Sequence, residues 1–361
     1  MTGPTSATDE FFMAEAIALG RRHLGQTSTN PSVGCVIVKD GSVVGSAVTA
    51  LGGRPHAEPQ ALAAAGEAAQ GATVYVTLEP CSHYGRTPPC ANALIAAGVS
   101  RVVVSVGDPD ARVAGRGLQM LRAAGIIAET GVLETEGRRS MAGYLMRQTQ
   151  GRPYVTVKLA VSADGMIGNA GAGQVAITGP QARAAVQLLR AESDAILVGI
   201  GTAIADDPLL TCRAPGLEHR SPIRVVLDRR LELPLASNLA KTAREVPVIS
   251  VTLGNDVDRR GVLQAAGIEI LDQDPTDLAM LLTTLGGRGI SSLLVEGGAK
   301  TIRSFLAASL VDRILLFQAP ITIGTDGLAS PVQSTDIPAG FTHVGTEVYG
   351  DDRCETYERD I

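Results

Sequence analysis

The sequence predicts a two-domain α/β protein, and three observations carry that reading. At 361 residues the chain exceeds one typical domain and is long enough for two, each with its own core. Helical and strand periods alternate along it, the pattern of helices layered on a sheet. The stretch QTQGRPY at 148–154 is polar, carries Gly and Pro and separates periodic segments, so it marks the boundary between residues 1–149 and 150–361.

The elements of the first half follow in order. Met13, Ile17, Gly20 and Leu24 have helical spacing with Asp9 ahead of them as a cap, which predicts a first helix ending near Gly25. The loop TSTNPSVG follows, with Asn30 in an Asn-Pro turn. VGCVIVKDGSVVGSAV reads as two strands joined at Asp40-Gly41, a strong hairpin signal. HAEPQALAAAGEAA is a helix with His56 and Glu58 in its first turn, ATVYVTL a buried strand, CANALIAAG a helix opened by Cys90, and RVVVSV a further strand. The order α-β-β-α-β-α-β predicts a layered α/β/α sheet.

Two pieces of this half carry chemistry. His56, Cys81 and Cys90 are three soft or borderline ligands, and three would leave the fourth tetrahedral position of a zinc ion open to water. Glu58, two residues from His56, is then free to move protons. H-x-E followed by P-C and a second Cys is the pattern of zinc deaminases, with the Glu as general acid/base. Here eight polar, turn-forming residues, SHYGRTPP, separate the cysteines. Cys90 at a helix N-terminus is expected to favour the thiolate. His83, between the cysteines, is the competing ligand. Singly, His56 is as readily a helix cap and the cysteines small apolar residues; the combination carries the zinc reading.

Together, HAE at 56–58 and VTLEPCSHYGRTPPC at 76–90 resemble the deaminase half of the bifunctional deaminase/reductase family of riboflavin biosynthesis. The resemblance implies a cytidine-deaminase-like α/β/α sandwich, with Asn30 and His83 contacting the substrate base. In the Gly-rich loop GDPDARVAGRG, Arg116 suits a phosphate, but Asp110 stands where the family pattern has Asn, and an acidic side chain opposes that role.

The second half begins with the strand and turn YVTVKLAVSADGMIG, in which Lys158 interrupts an apolar run; it either faces solvent or is buried with a partner. The helix QARAAVQLLRAES, the strands DAILVG, PIRVVLD and VPVISVT, and the strand, Gly-Gly turn and helix of SSLLVEGGAKTIRSFLAASLVD follow. A glycine turn before a helix N-terminus is a general way to hold a pyrophosphate. KLAVSADG, AILVGIGTAIADDPLLTCR and LVEGG, in that order, resemble the reductase half of the same family, whose fold is dihydrofolate-reductase-like and not a classical Rossmann domain. The resemblance implies that Lys158, Arg190, Leu210, Arg213 and Glu296 surround a phosphorylated substrate while Ala160, Thr202, Asp206, Gly297 and Gly298 face NADPH. Where the family shows Ser-x-Trp-Ile-Thr, this chain has Gln174, Val175, Ala176, Ile177 and Thr178, and of these Thr178 is retained as a substrate contact.

Composition bounds the alternatives. A net charge of −6 without a Lys/Arg cluster, and 3% aromatics with no Trp, leave little for a basic face or stacking platforms, which favours a small substrate over the rival reading of a tRNA or single-stranded-DNA deaminase. A zinc-stapled binding protein would need four protein ligands. The five cysteines form no disulfide-like array, no apolar run reaches about 18 residues, and the first ten residues lack a signal peptide's basic flank and apolar core. The chain therefore reads as cytoplasmic, with no membrane or nucleic-acid partner; a homo-oligomer is allowed. By resemblance the reaction is zinc-dependent deamination of 2,5-diamino-6-ribosylamino-4(3H)-pyrimidinone 5′-phosphate, then NADPH-dependent reduction of its ribosyl group to ribityl.

Overall fold

The structure, a computed structural model, describes residues 6–85, 87–110, 113–169 and 175–359. It forms two compact units, Met1–Gly151 and Arg152–Ile361.

The first unit runs α1 (Ala7–Arg21), β1 (Gly34–Lys39), β2 (Ser42–Val48), α2 (Ala57–Ala65), β3 (Thr73–Leu78), α3 (Cys90–Ala96), β4 (Arg101–Val106), α4 (Arg116–Ala123), β5 (Ile127–Thr130), α5 (Glu134–Ser140) and α6 (Ala142–Gln150). Its sheet has the order β2-β1-β3-β4-β5, with β1 antiparallel to β2 and β3, and β3, β4 and β5 parallel. Asp40 and Gly41, at φ 49° and 76°, make the two-residue turn between β1 and β2, where positive φ at both positions matches the strand twist. Alternate strand residues face opposite layers. Cys35, Ile37, Val74 and Val76 pack with Ala57, Ala61 and Leu94 of α2 and α3, whereas Val36, Val38 and Tyr75 pack with Phe12, Met13 and Ala16 of α1. At Gly45 of β2 a Cβ would lie 2.4 Å from the Ala61 carbonyl oxygen, so the absent side chain lets α2, which carries Glu58, lie close against the sheet.

Helix α1 differs from expectation at both ends. Ser6 is the cap, accepting the Asp9 N–H at 3.1 Å, and the helix stops at Arg21. Asp9 is buried inside it and accepts from Arg101 at 2.7 and 3.0 Å and from the Tyr75 hydroxyl at 2.8 Å. The Arg101 pair holds its carboxyl down to about 2.

The second unit runs β6 (Tyr154–Val161), β7 (Met166–Asn169), α7 (Pro180–Ala191), β8 (Ala195–Gly199), α8 (Ile200–Asp206), β9 (Ile223–Leu227), α9 (Asn238–Lys241), β10 (Val248–Thr252), α10 (Val257–Ala265), β11 (Ile268–Asp272), α11 (Leu278–Gly287), β12 (Ser292–Val295), α12 (Ala299–Ala307), β13 (Arg313–Gln318), β14 (Gly327–Ala329), β15 (Phe341–Tyr349) and β16 (Asp352–Arg359). Its main sheet has the order β11-β10-β9-β8-β12-β6-β13-β16-β15, parallel from β11 to β13 and antiparallel over the last two strands. Val155, Val157, Leu159 and Val161 of β6 enter one core with Leu281, Leu282, Leu285, Ile302 and Phe305 of α11 and α12. Strand alternation therefore sends Lys158 and Ala160 to the other face. Val157 pairs with Val295, which brings the next residues, Lys158 and Glu296, out side by side.

Candidate active sites

In the first unit, three chain segments converge on one point. His56 takes the N-cap position of α2 in an extended conformation and makes no side-chain cap bond, so its ring is free to turn inward. Cys81 follows the end of β3, and Cys90 is the first residue of α3. His56 Nδ1 lies 3.7 Å from Cys81 Sγ and 3.4 Å from Cys90 Sγ, and the three ligand atoms lie within 4.8 Å of one another. Tetrahedral zinc with ordinary Zn–S and Zn–N bonds would place such atoms roughly 3.6 Å apart. The residues fit the metal. Among the described residues His83 is outside this cluster.

Hydrogen bonds tie the two thiols together. Cys81 Sγ accepts the Cys90 N–H at 3.2 Å. A hydrogen bond from the Cys90 thiol, supported by His56, brings the Cys81 thiol down to about 4, and that same bond together with burial pushes Cys90 far up. The first N–H of α3 adds to this by pointing at the Cys81 sulfur, and both thiols would ionise on binding zinc. Glu58, 4% exposed, is pushed up by burial and then by the Cys81 charge.

A cavity of about 760 Å³ opens beside the cluster, lined by His56, Glu58, Cys81, Asn30 and His83 among others. Both base-contact residues expected from the sequence therefore reach it. His83 Nδ1 is buried without a hydrogen-bond partner. Arg116 is not among the lining residues; it sits with Ser82, His83 and Tyr84 on a separate shallow recess. Asp110 does line the cavity.

Sequence reasoning missed the residue that holds one wall of this cavity. The Glu79 carboxylate is buried and accepts four backbone N–H groups, from Asp108 (3.4 Å), Gly115 (3.0 Å), Gly117 (3.1 Å) and Leu118 (3.4 Å). Gly117 is required there, since a Cβ would lie 2.0 Å from the Pro80 carbonyl oxygen. Asp108, also buried, accepts from the Tyr144 hydroxyl at 3.0 and 3.2 Å. The legible signal was the cluster Gly115-Arg116-Gly117, whose bare backbone supplies the donors. Glu79→Gln turns one acceptor into a donor facing N–H groups, and is expected to lower the stability of this unit by about 1–3 kcal/mol. A denaturation midpoint equal to that of the parent would show that water replaces these bonds.

In the second unit a cavity of about 530 Å³ is lined by Lys158, Ala160, Arg190, Thr202, Asp206, Leu210, Glu296, Gly297 and Gly298. Nine residues named from the sequence thus meet at one place. Thr178 and Arg213 are not among the lining residues: Thr178 is buried just before α7, and Arg213 is exposed, with its N–H donating to Gln187 Oε1 at 2.7 Å. Gln174 lies outside the described residues, while Val175 and Ile177 line the cavity.

Arg190 is committed to protein partners. Its Nε and Nη2 donate to the two Glu296 carboxylate oxygens at 2.8 and 2.9 Å, and its Nη1 donates to the Thr211 carbonyl at 3.1 Å. Burial would push the Glu296 carboxyl up, but Arg190, ahead of Lys158, brings it below its ordinary value. Burial lowers the Lys158 ammonium, and Glu296 offsets part of that. Lys158 Nζ also stands 5.8 Å from the centroid of the Phe317 ring. Gly298 precedes α12 and its N–H donates to Thr202 Oγ1 at 3.0 Å; a Cβ on Gly297 would lie 2.8 Å from the Thr301 side chain. The Gly297-Gly298 turn is therefore a cradle that side chains would fill.

Comparison with known proteins agrees with this geometry. Residues 6–106 match the cytidine and deoxycytidylate deaminase zinc-binding region, and residues 153–354 match the RibD C-terminal domain. The riboflavin biosynthesis protein RibD of Escherichia coli is 43% identical over 341 residues, 88% of this chain and 89% of that protein. RibD of Acinetobacter baumannii superposes with a TM-score of 0.86 at 38% identity, covering 98% of this chain and 99% of that one. A diaminohydroxyphosphoribosylaminopyrimidine deaminase/5-amino-6-(5-phosphoribosylamino)uracil reductase from Thermotoga maritima gives 0.86 at 32% identity over the same shares. Among the described residues no helix is long and apolar enough to cross a membrane. With a zinc-binding deaminase region in its first unit and a RibD reductase domain in its second, the chain belongs to the RibD family of bifunctional deaminase/reductases of riboflavin biosynthesis.

Proposed function

We propose that the first unit deaminates 2,5-diamino-6-ribosylamino-4(3H)-pyrimidinone 5′-phosphate and that the second reduces its ribosyl group to ribityl with NADPH, in the cytoplasm. The reading is carried by one observation: His56, Cys81 and Cys90 form one cluster, and a single cavity beside it is lined by His56, Cys81 and Glu58. Zinc held by the first three supplies Lewis acidity that brings a water molecule's pKa to about 7. Glu58 takes the water proton and returns it to the departing amine as ammonia; its raised affinity for a proton suits the first task. The Asn30 amide, which both donates and accepts, and His83 orient the base.

In the second unit the Gly297-Gly298 cradle, Thr202, Asp206 and Ala160 hold NADPH, which supplies hydride to C1′ of the ribosyl group. Lys158, Leu210 and Glu296, which line that cavity, contact the substrate. Arg190, its fork taken by Glu296, acts on the substrate through charge and through the position it gives that carboxylate. Incubating the purified protein with the diaminopyrimidine phosphate, with and without NADPH, tests both steps: ammonia release is expected in either case, and NADPH consumption only after it.

Lys158→Ala separates the two activities. Glu296 keeps Arg190 as its partner, so the unit stays folded. Reduction of the already deaminated substrate is expected to fall about 10- to 100-fold, the worth of a charged hydrogen bond, with ammonia release unchanged. A parallel loss of both activities would mean that the two sites are not separate.

A further inference from the structure

The deaminase cavity poses an electrostatic difficulty for a phosphorylated substrate. Four carboxylates line it, Glu58, Glu79, Asp108 and Asp110. A phosphate monoester adds about −1.5 to −2 charges at neutral pH. A cation is suited to receive it, and among the described residues two arginines, Arg54 and Arg147, share the lining. Arg147 donates through Nη2 to the Thr29 carbonyl.

Arg54 is placed differently. It lies two residues ahead of His56, and its Nη1 donates to the Thr87 hydroxyl at 3.0 Å, across to the excursion between Cys81 and Cys90. Among the described residues no carboxylate forms an ion pair with it. Gly85, which lines the same cavity, stands beside the other end of the fork: a Cβ there would be 3.5 Å from Arg54 Nη2. Its N–H donates to the Thr87 carbonyl at 3.3 Å, closing the turn that presents the Thr87 hydroxyl.

We propose that Arg54, with the Thr87 hydroxyl as a second arm, holds the substrate's 5′-phosphate during deamination. This assignment rests on the phosphorylated substrate proposed above. The planar fork of a guanidinium matches two phosphate oxygens, and the Thr87 hydroxyl, which accepts from Arg54, keeps its own hydrogen to donate to a third. The clamp ties the segment ahead of His56 to the excursion that carries His83. Phosphate binding would thus load the base between groups already fixed at the metal centre.

The test compares Arg54→Gln and the parent, both full-length and zinc-loaded, on the phosphorylated substrate and on its dephosphorylated ribosylamino counterpart. Gln removes the charge and keeps an amide donor for Thr87. With the phosphorylated substrate KM is expected to rise about 10- to 100-fold and kcat to stay within about threefold, whereas the dephosphorylated compound is handled alike by both proteins. Inorganic phosphate should compete in the parent and not in Arg54→Gln, and Arg54→Lys should recover part of the KM. An unchanged KM, an equal loss on both compounds, or a loss of zinc would overturn the assignment and leave Arg54 as a support for the His56 segment. A parent protein inert toward the phosphorylated substrate would overturn the substrate reading along with it, a result the variant alone cannot produce.

Discussion

Cys81→Ser and Cys90→Ser are each expected to lose zinc and deamination together, while reduction of the already deaminated substrate continues. The reason lies in the cluster's geometry. Separations of 3.4 and 3.7 Å between His56 Nδ1 and the two sulfurs suit one tetrahedral ion, and removing either thiol leaves two protein ligands. A serine hydroxyl at 81 can still accept the Cys90 N–H, so the nine-residue span from 81 to 90 keeps its closure and the fold survives. Zinc measured on the desalted protein, beside ammonia release and NADPH consumption, separates loss of metal from loss of structure. Full zinc occupancy in either variant would transfer a ligand role to another residue. His83 comes first, since its Nδ1 is buried without a partner.

How much of this was legible in the sequence depended on whether the signal was local. The turn at Asp40-Gly41, the helix opening at Cys90 and the His-x-Glu followed by Pro-Cys lie within short windows, where residue type and spacing suffice. Asp9 reads as a cap by its position and turns out to be a buried partner of Arg101, 92 residues away. Arg190 is expected by resemblance around a phosphorylated substrate, and it does line the cavity, but its fork is filled by Glu296, 106 residues on. Glu79 was missed for a different reason: its partners are four backbone N–H groups, and the only trace they leave in the sequence is the pair of glycines at 115 and 117. Cys90 does open a helix as its sequence position suggests, but the direction of its N–H, toward Cys81 Sγ, is a tertiary detail that residue type and spacing do not record.

Glu58→Gln is expected to retain zinc and to lose deamination by about 10² to 10⁴, the usual worth of a positioned acid/base. The substitution keeps size and hydrogen-bonding capacity and removes only the group that accepts a proton. Glu58 is 4% exposed, on the first turn of a helix whose N-cap is the zinc ligand His56, so its carboxylate is fixed relative to the metal by less than one helical turn. Burial raises its pKa, which makes it a better proton acceptor from water. That task does not require Glu58 to bind the ion, and the three ligand atoms already lie within 4.8 Å of one another without it. The second unit provides the internal control: deaminated substrate and NADPH must still be consumed at the parent's rate. Loss of zinc would make Glu58 a ligand or a support for one, and deamination within about threefold of the parent would remove it from the proton path, leaving the water's proton to another group in the cavity.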